Sequence, residues 1–327
     1  MHASSRPSSP ERRGSRRAAT AAARGGDMRE DVEFRTEDGV TLRGWHYSPD
    51  GIDGPAPLVV MAHGFSAVKE HLLDDFAQHF AAGGLGVLVY DNRNLGASDG
   101  SPRGEIDPWQ QVRDYRTAIT WAGTQPWADP DRIGVWGSSY SGGHALVVAA
   151  LDRRVKCVVS QVPLVSGLQN ARRLIRADAF AGLRAAFDAD RAARYAGSEP
   201  AMIQVAYEKD PAEMAALPTE DTHDFFFGPV QDRAPSWRNE VTLRSVEMFV
   251  EYEPGAYIAD ISPTPLMMVV AAKDHLTVAD LTLEYYERAK QPKELLVLPV
   301  GHFDAYVDDA FAVSAPAQLR WFRTHLG

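Results

Sequence analysis

Arg132-Ile133-Gly134-Val135-Trp136-Gly137-Ser138-Ser139-Tyr140-Ser141-Gly142-Gly143-His144-Ala145-Leu146 carries an apolar β-type run straight into a helix-type run through a turn of glycine and serine. So sharp a passage from buried strand to helix needs one residue in a strained backbone conformation and small neighbours that let the helix approach the strand. Ser139 sits at the tip of that turn, where its hydroxyl would project beyond the carboxyl edge of a sheet. The helix that follows would offer the Tyr140 amide and the positive end of its dipole to a developing oxyanion. The pattern is G-x-S-x-G with Ser141 in fifth place, followed by Gly142 and Gly143. Serine is small enough for the close packing. Ser138 and Ser141 stand as rival nucleophiles out of register with Gly137, and the motif alone also fits a turn without chemistry.

Working outward, the chain alternates strands and helices. Val32–Thr36 and Val40–Tyr47 flank a turn at Asp38-Gly39 and read as a hairpin. Continuous apolar runs of strand length follow at 58–62, 87–90, 133–136, 155–159, 265–271 and 295–298, each suited to burial on both faces. The expected fold class is therefore α/β, with a mostly parallel eight-stranded sheet and helices on both faces. Between Val162 and Ser262 no strong strand signal appears. Ala171–Ala196 reads as one or two helices, Trp237–Tyr252 as another, and Phe225-Phe226-Phe227 would be costly if exposed. This stretch is expected to be a helical cap over the carboxyl edge, where open α/β sheets bind ligands. The organisation read from the sequence is a disordered tail (1–27), a first core part (28–163), a helical cap insertion (164–262) and a second core part (263–327).

A serine hydroxyl needs a base and a group that orients the base. The run 265–271 leads to Asp274, and the run 295–298 leads through Gly301 to His302, so each lies just past the end of its own strand. Asp304 is a fallback acid; His275, His144 and His63 compete as base. The segment Ala62-His63-Gly64-Phe65-Ser66 follows the third strand, and its turn would present the Phe65 amide beside that of Tyr140 as an oxyanion hole. His63 is expected to hold that loop in shape. Asp91 and Arg93, after the fourth strand, are expected to pair.

The chain has 327 residues, 45% hydrophobic and 24% charged, as globular proteins are, which excludes a largely disordered or collagen-like chain. No stretch is long and apolar enough to span a bilayer as a helix. Residues 1–27 hold six arginines and two acids. Removing these from 34 basic and 44 acidic residues leaves 28 and 42, a formal −14 that would repel nucleic acid. The twin arginines of the tail lack the apolar segment of a secretory signal, so disorder is expected, with Met28 an alternative start. The single cysteine, Cys157, can form no internal disulfide and no zinc site, which favours the cytoplasm. There is no GxxxxGK[ST], no dinucleotide fingerprint and no HExxH pair, so no cofactor and no metal are expected.

The order Ser139, Asp274, His302 and the strand-helix alternation resemble the α/β-hydrolase superfamily. The elbow, the Gly301-His302-Phe303-Asp304 loop and the helical insert look like its dienelactone-hydrolase-like branch, and most like the polyketide-transferase-like serine hydrolases of fumagillin type. That resemblance implies a serine acyl hydrolase of esterase or thioesterase type. Here Ser139 stands where dienelactone hydrolases carry cysteine. An acyltransferase of polyketide or secondary metabolism, a serine peptidase on short peptides and a non-catalytic binding module are the alternatives, in that order. The expected partner is a small-molecule ester or thioester, with a carrier-bound acyl group and a homodimer left open.

Overall fold

The sheet begins where the sequence turns sharply at Asp38-Gly39. Strands β1 (Arg29–Arg35) and β2 (Thr41–Tyr47) pair antiparallel, Phe34 facing Leu42 across the hairpin. In this computed structural model residues 29–49, 51–52, 54–210 and 213–327 are described. The expected disordered tail and the alternative start at Met28 lie outside them.

Six further strands complete the main sheet: β3 (Ala56–Ala62), β4 (Gly86–Tyr90), β5 (Ala128–Ser138), β6 (Val155–Gln161), β9 (Leu266–Ala271) and β10 (Lys293–Leu298). Their order is β1-β2-β4-β3-β5-β6-β9-β10, and from β4 to β10 every pair is parallel. Every residue of β3, β4 and β9 is buried, which accounts for their unbroken apolar runs. Helices α1 (Leu73–Ala82) and α9 (Asp308–Leu326) cover one face. Helices α2 (Pro108–Ala122), α3 (Tyr140–Leu151) and α8 (Ala279–Arg288) cover the other. Helix α3 is buried from Tyr140 to Ala150, so its apolar character is nearly uniform around the axis.

Between β6 and β9 the chain forms α4 (Gly167–Leu174), α5 (Phe180–Tyr195), α6 (Glu220–Phe226) and α7 (Leu243–Glu251). A two-stranded sheet of β7 (Met202–Ile203) and β8 (Val241–Thr242) ties this insertion together. The helix expected from Trp237 begins only at Leu243. Thr242 takes the N-cap, its hydroxyl accepting the Ser245 amide at 3.2 Å, and the preceding Val241 is held extended in β8. Trp237 instead stacks on Phe226 with ring centroids 4.6 Å apart.

The expected Asp91–Arg93 pair does not form. Asp91 accepts from Lys69 Nζ at 2.7 Å and from the Lys69 and Ala97 amides, whereas the Arg93 guanidinium lies between Asp114 and Asp38. Arg93 needs planar partners for its fork, and they come from α2 and from the β1–β2 turn, both remote in sequence.

Candidate active site

The carboxyl ends of β3, β5, β9 and β10 converge on one point. At the end of β5 the backbone at Ser139 is left-handed, φ 56° and ψ −117°. Three hydrogen bonds hold it there: its amide donates to Gln161 O at 2.9 Å, and its carbonyl accepts from Leu164 at 3.0 Å and Gly143 at 3.3 Å. Gly137 permits the turn, because a Cβ at that position would stand 1.9 Å from the Ser141 carbonyl oxygen. The rival serines are turned away. Ser138 is buried and bonded to the Tyr306 hydroxyl, and Ser141 is buried within the start of α3.

Asp274 lies three residues beyond β9. Its Oδ1 accepts the Leu276 and Thr277 amides, both at 2.8 Å, and its Oδ2 accepts His302 Nδ1 at 2.7 Å. The Thr277 hydroxyl stands 2.9 Å from the same Oδ2 and 2.9 Å from Val162 O. A carboxylate with this many donors is fixed in place. It holds Nδ1 of His302 as the donor, leaving Nε2 to accept a proton. His302 and Ser139 open onto one cavity; among the described residues no hydrogen bond joins them. Catalytic hydrogen bonds of this kind tighten once substrate is bound.

After β3, the loop at His63-Gly64-Phe65 lies directly against the elbow: a Cβ on Gly64 would stand 2.9 Å from Ser139 Cβ. The Phe65 amide makes no hydrogen bond among the described residues. Tyr140 is the first residue of α3, whose leading amides have no intrahelical acceptor. The two amides expected as an oxyanion hole are thus both unpaired beside Ser139.

The competing bases are engaged elsewhere. His63 accepts the Asn92 amide on Nε2 at 3.0 Å and faces its own loop at Gly64 O, the shape-holding role expected of it. His144 bridges Tyr252 and Gln111, and burial pushes it down to about 3. His275 is exposed. The fallback acid Asp304 accepts the Gly301 amide in its own loop and does not bond to His302. Two contributors were not singled out from the sequence. One is Thr277, whose D-x-x-T spacing after Asp274 was the available signal. The other is His71, which lines the cavity, accepts the Val68 amide at 3.1 Å and is held neutral, pushed down to about 3 by burial.

The cavity measures about 40 Å³ and is walled by aromatic rings, Phe225, Phe226, Phe249 and Phe303 among them. Phe225 stacks on Phe303 at 4.4 Å, and Phe303 meets the His302 ring edge-on at 4.9 Å. Among the described residues no cluster of three or more His, Cys, Asp or Glu is arranged to hold a metal ion. Nor is any of their helices long and apolar enough to cross a membrane.

The sequence profile of the X-Pro dipeptidyl-peptidase (S15) family matches residues 38–304. The chain belongs to that family. Within it, this S15-family chain is 33% identical to a thiohydrolase, aneE, of Aspergillus aculeatus over 89% of its length and 92% of the relative. It is 35% identical to the polyketide transferase ATR5 of Stachybotrys chlorohalonatus, covering 82% of this chain and 88% of that one. The crystal structure of the alpha/beta hydrolase GrgF from a Penicillium species superposes with a TM-score of 0.78 at 30% identity, over 91% of this chain and 99% of GrgF. The resemblance read from the elbow and the His302 loop thus agrees with these relatives. The S15-family chain has the α/β-hydrolase fold and is an enzyme of the serine acyl hydrolase or acyltransferase class.

Proposed function

We propose that Ser139 attacks an ester or thioester carbonyl while His302 Nε2 takes its proton, Asp274 steadies the imidazolium, and the Phe65 and Tyr140 amides receive the oxyanion. The observation that carries this reading is the 2.7 Å bond from His302 Nδ1 to a carboxylate with further donors, beside a serine in a left-handed turn. Collapse of the tetrahedral intermediate expels the alcohol or thiol and leaves an acyl-enzyme. Water then regenerates Ser139, with His302 as base and then acid. Replacing water by a bound alcohol or carbon nucleophile would make the same acyl-enzyme a transferase; hydrolysis needs no second organic substrate and is the default.

The name of one relative, a thiohydrolase, favours a thioester; a carrier-bound acyl group is left open as its form. The family's description favours a peptide, but an X-Pro dipeptide presents a free ammonium that calls for a carboxylate. None of the described residues lining the cavity is acidic. Residues 164–262 serve as a cap that closes the cavity from water, with the core formed by 28–163 and 263–327. A cytoplasmic setting suits the buried Cys157, whose thiol burial holds protonated. A homodimer stays open and is read by analytical ultracentrifugation.

The full chain and Ser139→Ala are incubated with a fluorophosphonate and with p-nitrophenyl esters of graded chain length. Labelling and turnover lost together in the variant support the acyl-enzyme. Labelling without turnover supports a transferase awaiting its acceptor. A wild type that does neither overturns the reading.

A further inference from the structure

The cavity at Ser139, about 40 Å³, holds one or two waters and no acyl chain. A second space of about 520 Å³ lies in the insertion, between α4, α5 and α7, within the range of small-molecule sites at roughly 300–1,000 Å³. Apart from Arg176 and Glu213, its walls are apolar, formed by residues such as Leu174, Leu183, Ala186, Ile203 and Val246.

The two spaces share a wall. Phe249 of α7 lines both, and the neighbouring segment alternates between them: Leu217 faces the catalytic cavity, Ala216 and Pro218 the groove. That segment is pinned by Ala216 N to Gln204 O and Leu217 N to Val205 O, both at 2.9 Å, and the Phe249 side chain of α7 forms the rest of the partition. The Phe249 ring stacks on the Tyr140 ring at 5.4 Å and meets the Phe65 ring edge-on at 5.5 Å, so it packs on the side chains of the two residues whose amides are assigned to the oxyanion.

We infer that the groove between α4, α5 and α7 is the subsite for an extended apolar acyl chain, entered past Phe249 from the carbonyl held at Ser139. This rests on the acyl-enzyme reading above and names its substrate class: medium- to long-chain acyl esters or thioesters. The catalytic cavity is too small for the chain, the groove has an apolar lining, and Phe249 stands between them. Each methylene buried there should raise kcat/KM roughly fourfold, so preference should rise steadily with length until the groove is filled.

The test uses the full chain and Ala186→Trp, which fills the groove from α5 without touching the catalytic cavity. The readouts are fluorophosphonate labelling and the ratio of kcat/KM for p-nitrophenyl dodecanoate to that for the acetate. Retained labelling with a ratio at least tenfold lower in the variant is the expected result. Should Ala186→Trp not fold, Leu183→Trp, one turn earlier on α5, fills the same space. Labelling with an unmoved ratio overturns the subsite while leaving the acyl-enzyme intact; absence of labelling in the wild type overturns both. A variant that changes the oligomeric state and not the ratio identifies the groove as a contact between copies of the chain, and also overturns the subsite.

Discussion

At the scale of single residues, Asp274 and Thr277 divide one task. Asp274→Asn keeps the size of the side chain but gives His302 Nδ1 an amide partner, which favours the wrong tautomer. The expected loss in kcat is about 10⁴-fold with little change in KM. Thr277→Val removes a hydroxyl that stands 2.9 Å from both Asp274 Oδ2 and Val162 O with a single proton to share between them, so kcat should fall by about tenfold or less. Steady-state kinetics on p-nitrophenyl acetate separates the two; equal losses would mean that Thr277 does more than orient. The placement of Ser139, Asp274 and His302 beyond the ends of β5, β9 and β10 was legible in the sequence, because each follows its own apolar strand and the order of strand ends is written in the chain. Thr277 was not, since its second partner, the Val162 carbonyl, belongs to β6's exit and meets it only after folding. The mistaken Asp91–Arg93 pair has the same origin: nearness in sequence was visible, but Lys69, Asp114 and Asp38 as partners were not.

At the scale of elements, the loop after β3 and the elbow after β5 work as one unit in contact at Gly64. Gly64→Ala brings a methyl to 2.9 Å from Ser139 Cβ and 3.4 Å from its Oγ, so the loop must move and carry the Phe65 amide with it. Losing one oxyanion donor costs about 10²–10³ in kcat. The expected variant is folded by far-UV circular dichroism yet slowed by that factor, and an unslowed variant would remove Phe65 from the oxyanion site. The strands of the sheet were legible because burial on both faces leaves continuous apolar runs. The start of α7 was not. Its apolar pattern continues upstream through Trp237, and only the pairing of Val241 with Ile203 reveals that the chain there is extended.

At the scale of the whole molecule, buried neutral histidines make stability fall in acid. His71 and His144 are each pushed down to about 3 by burial, against about 6.5 in the unfolded chain. The unfolded state therefore binds their protons first. Their contribution is complete above about pH 6.5 and is lost as pH falls from there towards 3, each adding a slope of up to about 1.4 kcal/mol per pH unit. Urea midpoints measured from pH 7 to pH 4 should fall accordingly, and His144→Phe should flatten part of the slope; a midpoint that stays constant down to pH 4 would contradict the burial. The sheet and its helical faces were legible at this scale from alternation alone. The wall between the cavity at Ser139 and the groove between α4, α5 and α7 was not, because Ala216, Leu217, Pro218 and Phe249 come from two segments without a shared period.

The left-handed turn at Ser139 sets heat resistance against activity at a single residue. A side chain in that backbone conformation costs of order 1–3 kcal/mol, which the folded protein carries whether or not substrate is present. Ser139→Gly relieves the cost but frees the unfolded chain by about 0.4–1 kcal/mol, so a net gain of about 1 kcal/mol should remain. Ser139→Ala keeps the Cβ and gains nothing. Both variants are inert, and the glycine form should melt a few degrees above the alanine form. Selection for a tougher fold and selection for turnover therefore pull this position in opposite directions.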